Sequence, residues 1–199
     1  MQAQIGCISK PFKGEQYCGD QCAYWHKDHK ITLCLADGLG HGEAAYIAAK
    51  AAVDYVDQHI DDQITHIFTG CNLKIRNTRG VAMGIAQIDE DARELIYAAV
   101  GNIRAMIVRV LSSGYKDIHL LSDNGIVGAG YRALMPDRIK LMPDDLVIMF
   151  TDGVKDIIDL ASFDQALCRD VQKLAHEIIR QWGCDTDDSA VLIYKREVG

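Results

Sequence analysis

The chain has no apolar run approaching the ~20 residues needed to span a bilayer, and its opening stretch, MQAQIGCISKPFKGE, lacks the apolar core of a secretory signal. These absences predict a cytoplasmic protein without a membrane partner. An excess of positive charge is also missing: 21 Lys and Arg face 28 Asp and Glu, a net charge of −7. A general nucleic-acid binder needs a basic face to displace counterions from phosphates, so that class is excluded. Repeats, low-complexity tracts and Pro/Gly/Ser linkers are absent, which predicts one continuous domain over 1–199. Paired zinc-type cysteines are lacking as well. The seven cysteines are odd in number and several lie inside apolar runs, so reduced core thiols are expected. Cys18 and Cys22 are the close pair, and no second pair at matching spacing completes a zinc site.

What is present is an ordinary globular composition, 49% hydrophobic and 25% charged, at a length that can bury a substantial core unaided. Residues 2–9, 21–27 and 30–36 read as strands, the last two joined by a polar turn at Lys27-Asp28-His29-Lys30. Helices are predicted over 42–60 and 61–76, with Asp61 and Asp62 near the positive N-terminal end of the second. Strands follow over 80–88, 94–100 and 103–110, with hairpin-like connections at Asp89-Glu90-Asp91 and Gly101-Asn102. After a looser Gly-rich section come a strand over 145–151, an amphipathic helix over 163–182 and a final strand over 188–195. Clustered strands with clustered helices argue against a doubly wound parallel sheet. They predict an α+β fold in which helices pack outside two antiparallel sheets.

Four acidic segments fall at strand ends: Cys18-Gly19-Asp20, Ala36-Asp37-Gly38, Thr151-Asp152-Gly153 and Asp187-Asp188. Two share one form, an apolar strand running straight into Asp-Gly (ITLCLADG and LVIMFTDG). A strand end holds a carboxylate rigidly, and the adjoining glycine permits a tight path and lets a carbonyl approach an ion. Hard Mg²⁺ or Mn²⁺ takes such oxygen ligands. For any single segment a plain turn is the commoner explanation, and spacing alone does not show that the four converge.

In order, YCGDQC, LADGLGHG, NTRGVAMGI, AVGNIRA, LVIMFTDGV and DDSAVLIY resemble the PPM family of metal-dependent serine/threonine phosphatases. The likeness is greatest to its bacterial SpoIIE/RsbU-like branch and to the stand-alone RsbX-type phosphatases of stress-response signalling. It runs from about Lys13 to Lys195. The resemblance implies a four-layer αββα sandwich with two Mn²⁺ or Mg²⁺ ions between the sheet edges. Asp37 would bridge the ions and the Gly38 carbonyl would bind one. Asp152 and Asp187 would complete one metal, and Asp20 would hold the other, directly or through water. Asp188 would support the loop, and Asn102 would be family motif or plain turn.

The implied reaction is hydrolysis of phosphoserine or phosphothreonine, with Asp37 and Asp152 central, by attack of a hydroxide held between the metals. The implied substrate is a small STAS-type regulatory protein in a partner-switching or stressosome pathway. Cysteine-nucleophile chemistry is unsupported, since no Cys lies in a Gly-rich phosphate loop followed by Arg. Departures are visible. Where eukaryotic members carry a histidine after the first Asp-Gly this chain has Leu39, with His41 two residues on, and no arginine precedes Asp20, the nearby cations being Lys10 and Lys13. Arg76, Arg79 and Arg104 read as solvent-facing charge. A non-catalytic binding module of the same fold, and a two-metal phosphoesterase acting on a small molecule, are the alternatives.

Overall fold

The computed structural model describes residues 3–111, 114–156, 158–163 and 167–196. Strands β1 (Ala3–Lys10), β2 (Asp20–Lys27) and β3 (Lys30–Gly38) lead into helices α1 (Glu43–Asp57) and α2 (Ile64–Lys74). Strands β4 (Val81–Asp89), β5 (Glu94–Val100), β6 (Arg104–Leu111) and β7 (Gly114–Leu120) follow. Short strands β8 (Gly125–Ile126), β9 (Gly130–Tyr131) and β10 (Asp137–Lys140) precede β11 (Leu146–Phe150), α3 (Val171–Trp182) and β12 (Ser189–Arg196). One antiparallel sheet has the order β1-β12-β11-β6-β7 and the other β10-β5-β4-β3-β2, with β8-β9 a separate ribbon.

Three apolar layers explain this arrangement. Side chains alternate across each strand, so Ile31, Leu33 and Leu35 of β3 meet Val147 and Met149 of β11 and Leu192 of β12 between the sheets. The other face of β3, Cys34 and Ala36, packs with Ala48, Ala49, Val56, Ile67 and Phe68 of α1 and α2. On the opposite side, Leu146, Ile148 and Phe150 pack against Leu174, Ile178 and Trp182 of α3. Strands buried on both faces read as continuous apolar runs, which is why LVIMF and ITLCLA carry no alternation in the sequence. The result is the expected αββα sandwich.

Several boundaries differ from the sequence reading. The last long helix starts at Val171, where Asp170 accepts from the Lys173 amide at 3.1 Å and caps it. Leu167, which extended the helical periodicity, lies in a separate 3₁₀ turn, Leu167–Arg169. Asp61 and Asp62 stand outside α2; Asp61 instead pairs with Lys27. Gly101-Asn102 is no hairpin: β5 and β6 belong to different sheets, so this turn carries the chain across the sandwich. Gly101 takes φ +92° there, and a Cβ would lie 2.5 Å from that of Ala82. The Gly-rich section holds β7 to β10. Cys7 and Cys22 are joined in a disulfide with Cα–Cα 6.4 Å, not held as separate thiols. Their strands, β1 and β2, are edges of opposite sheets that lie face to face, a juxtaposition that sequence spacing does not reveal.

Register brings the acidic segments to one end of the sandwich. Asp20 pairs with Asp37 in the β2–β3 ladder, while Phe150, just before Thr151-Asp152, pairs with both Arg104 and Val191. Backbones close tightly at this end. A Cβ on Gly38 would lie 2.1 Å from the Ala45 carbonyl oxygen of α1, and one on Gly153 only 1.8 Å from that of Asp188. Close approach, not a left-handed backbone, therefore requires both glycines. Gly153→Ala is expected to lower stability by about 3 kcal/mol in urea unfolding through overpacking against rigid backbone; an unchanged midpoint would show that the segment yields freely.

Candidate metal centre

Asp20 is the first residue of β2 and is only 2% exposed. Its Oδ2 accepts a 2.6 Å hydrogen bond from the Thr151 hydroxyl, which in turn accepts from the Ala190 amide at 2.9 Å. Thr151, fully buried, thus ties the end of one sheet to the start of the other. The sequence reading passed over it as the last residue of a strand. Asp37 is half-buried on β3, and Asp152 and Asp187 are exposed on loops of the opposite sheet. Asn102 donates from Nδ2 to Asp152 Oδ2 at 2.7 Å, so the turn between the sheets fixes one carboxylate of the group.

Electrostatics shows the four carboxylates acting on each other. Burial, then the charge of Asp37, pushes the Asp20 carboxyl up to about 9. Burial, then the charges of Asp152 and Asp187, pushes Asp37 up to about 7. Asp187 is raised too, first by burial, with Asp152 and Asp188 adding to it against the opposing effect of a backbone hydrogen bond. Among the described residues, no Lys or Arg forms an ion pair with Asp20, Asp37, Asp152 or Asp187. Like charge is gathered here, with the His41 imidazole opposing it at Asp187.

Asp188 has a different environment from its neighbour. It is 2% exposed, and its two oxygens accept from the Phe12 amide at 2.7 Å and the Gly19 amide at 2.9 Å. It therefore pins the segment between β1 and β2 over the cluster. That segment presents Glu15, whose Oε1 lies 2.8 Å from His41 Nδ1, and Phe12, whose ring centroid lies 5.4 Å from that of His41. His41 is 59% exposed at the rim, close enough for its charge to act on Asp187.

The cations weighed from sequence fall elsewhere. Lys10 pairs with Asp185, and Lys13 is exposed. Arg79 donates to the Leu39 carbonyl at 3.3 Å, beside the first Asp-Gly. Arg104 is not simply solvent-facing: it donates to the Val154 carbonyl at 2.9 Å and pairs with Asp156 at 2.8 Å. Burial raises the Cys18 thiol to about 12, which removes it as a nucleophile.

The donor set suits a hard divalent cation: carboxylate oxygens, one of them buried and costly to ionise without a counter-charge. Among the described residues, no three carboxylate, imidazole or thiol groups converge closely enough to enclose an ion.

The raised Asp20 carboxyl has a consequence for the metal-free protein. The folded state binds this proton more tightly than the unfolded chain, whose ordinary value is 3.8. Its contribution to stability is therefore complete below about pH 4 and is lost as pH rises toward 9. In excess chelator the thermal midpoint is expected to be several degrees lower at pH 8 than at pH 5, and Asp20→Asn to narrow that gap. A gap of equal size in the variant would place the pH dependence elsewhere.

Comparison with known proteins agrees with this geometry. Residues 27–197 match the family described as Stage II sporulation protein E (SpoIIE), a span that includes Asp37, Asp152 and Asp187 but not Asp20. The phosphoserine phosphatase RsbX of Bacillus subtilis (strain 168) is 30% identical over 95 residues, 48% of each chain. The aligned stretch thus spans about half the length of that relative. A solved structure from the bacterial stressosome, a modular system adapted to control secondary messenger signalling, is 26% identical; the match covers 98% of this chain and 100% of that one, with a TM-score of 0.87. RsbX in complex with magnesium shares the fold at 22% identity, over 96% of this chain and 94% of its own, with a TM-score of 0.83. The PP2C phosphatase domain of SpoIIE from Bacillus subtilis does so at 18% identity and a TM-score of 0.73, over 98% of this chain and 63% of that one. With a family match over most of its length, the chain belongs to the SpoIIE family, and it shares the αββα fold of those structures.

Proposed function

We propose that the protein is a metal-dependent serine/threonine protein phosphatase. Its substrate would be a small phosphorylated STAS-type regulator in a partner-switching or stressosome pathway. One observation carries the reading: four carboxylates from two sheets, Asp20, Asp37, Asp152 and Asp187, crowd one end of the sandwich, and among the described residues no Lys or Arg pairs with them. The kinship with RsbX, a phosphoserine phosphatase, and with a stressosome structure supports the substrate class.

Asp37, the Gly38 carbonyl, Asp152, Asp187 and Asp20 would hold two Mn²⁺ or Mg²⁺ ions. When bound, these would offset the carboxylate charge, bind phosphoryl oxygens and acidify water. The chain's own groups keep this end in shape. Thr151 fixes the buried Asp20, Asn102 fixes Asp152, and Asp188 anchors the segment that carries Glu15. Glu15 in turn orients His41, which stands at the rim with its imidazole turned toward solvent. Positioned groups of this kind lower a barrier by avoiding reorganisation during the reaction.

With Mn²⁺ supplied, the protein is expected to release phosphate from p-nitrophenyl phosphate and from a phosphorylated STAS protein. Asp37→Ala should lose at least about 10²-fold in kcat on both. Turnover of cyclic nucleotides or sugar phosphates in place of phosphoproteins would overturn the substrate class. Unaltered activity in Asp37→Ala would overturn the site.

A further inference from the structure

The segment 11–19 crosses from one sheet to the other, and no ladder of hydrogen bonds joins the strands at its two ends. β1 pairs with β12, and β2 pairs with β3. The segment nevertheless sits tightly on the acidic cluster. The Phe12 and Gly19 amides donate to Asp188 at 2.7 and 2.9 Å, and the Gly19 carbonyl accepts from the Gly38 amide at 3.0 Å. Gly19 is wedged there: a Cβ on it would lie 2.8 Å from that of Ala45 and 2.9 Å from Asp188 Oδ2. Glu15 to His41 and Lys10 to Asp185 are the outer tethers, at 2.8 and 3.0 Å.

All of these contacts are reversible. One covalent link runs across the base of the segment, the Cys7–Cys22 disulfide. The ring it closes, residues 7–22, contains Lys10, Phe12, Glu15 and Gly19, and also the buried Asp20 two residues inside Cys22. A cross-link of this kind removes open arrangements of the enclosed chain. Ordering of the segment against Asp37-Gly38 and Asp188 is therefore coupled to the state of one S–S bond.

That bond is placed for exchange. Cys7 and Cys22 are half-buried at the margin of the layer between the sheets. Burial holds the thiols of Cys18, Cys34 and Cys71 far above their ordinary range, so these three are poor exchange partners. Ser9 Oγ lies 3.5 Å from Cys22 Sγ, where its proton can support that sulfur as it leaves.

We propose that the Cys7–Cys22 disulfide is a redox switch on the cation site: oxidised, it keeps segment 11–19 closed and Asp20 in place; reduced, it lets the segment open and weakens divalent-cation binding. The reductant is a small thiol of the glutathione class. Its thiolate attacks Cys7 Sγ, the S–S bond breaks, and Cys22 leaves as a thiolate that takes up a proton. A second thiolate attacks the outer sulfur of the mixed disulfide and releases Cys7. Two small thiols thus become one disulfide, and their two electrons and two protons pass to Cys7 and Cys22. The inference rests on the cation-site reading and names what regulates that site.

The test compares the full chain oxidised, reduced with the reductant then removed under nitrogen, and as the Cys7→Ser/Cys22→Ser double variant. In metal-free protein, amide exchange over 11–19 is expected to quicken about tenfold on reduction and in the double variant, with exchange in β4 unchanged. Calorimetry should find Mn²⁺ bound roughly fivefold more weakly in both, a part of the chain-entropy effect of the cross-link. Ser9→Ala should slow reduction by glutathione without altering Mn²⁺ affinity in the oxidised form. Equal exchange over 11–19 in the two redox states overturns the switch. So does exchange that quickens evenly across the fold, which would make the disulfide a staple for global stability alone. Free thiols at both positions after incubation with glutathione disulfide overturn it as well. No Mn²⁺ uptake in either state would count against the cation-site reading, while exchange over 11–19 still decides whether the bond controls the segment.

Discussion

Like charges placed directly opposite each other in an antiparallel ladder repel, and Asp20 faces Asp37 in this way at the end of the β2–β3 pair. Burial makes the conflict worse, because Asp20 is nearly inaccessible and its carboxyl is held far above its ordinary value. A sheet built for stability alone would place other residues there. The pairing persists because its partner strand is fixed elsewhere: β3 is buried along nearly its whole length, and the Cys7–Cys22 disulfide ties β2 to β1. The surrounding contacts then serve this strained end. Thr151 bonds the buried carboxyl, and Gly38 and Gly153 let backbone pack against it. Local disfavour held in place by global packing is the usual mark of a functional site.

The same constraint orders the rest of the molecule. Both sheets contribute carboxylates, so the site exists only while the sandwich is closed, and several contacts that cross between the sheets lie beside it. Thr151 to Asp20 is one, Asn102 to Asp152 another, and the Phe12 and Gly19 amides on Asp188 a third. The Cys7–Cys22 disulfide joins the same two edge strands, β1 and β2.

Much of this was legible in the sequence, because the strong signals are local. Strands such as LVIMF, the two strand-then-Asp-Gly segments and the ordered family motifs gave the architecture and the family. Other features depend on which distant segments meet. Asn102 looked like a hairpin residue because nothing in Gly101-Asn102 shows that β5 and β6 lie in different sheets. Thr151 looked like a strand end because its partner is 131 residues away. The helix over 163–182 was drawn too long, since Leu167 continues the apolar period but Asp170 caps a new start at Val171. The short strands β8 to β10 have too few residues to show a period. The glycines of the two Asp-Gly pairs were rightly singled out as tight, but their role in backbone packing requires knowing where α1 and Asp188 lie.

The central proposal is that the clustered carboxylates await divalent cations. The most direct measurement is a calorimetric titration of the chelator-treated protein with Mn²⁺ near pH 7, repeated in two buffers of different ionisation enthalpy. The expected result is uptake of two ions with release of protons from the crowded carboxylates, and loss of at least one ion and of proton release in Asp37→Asn. No Mn²⁺ uptake by the unaltered protein, or an identical titration in Asp37→Asn, would contradict it.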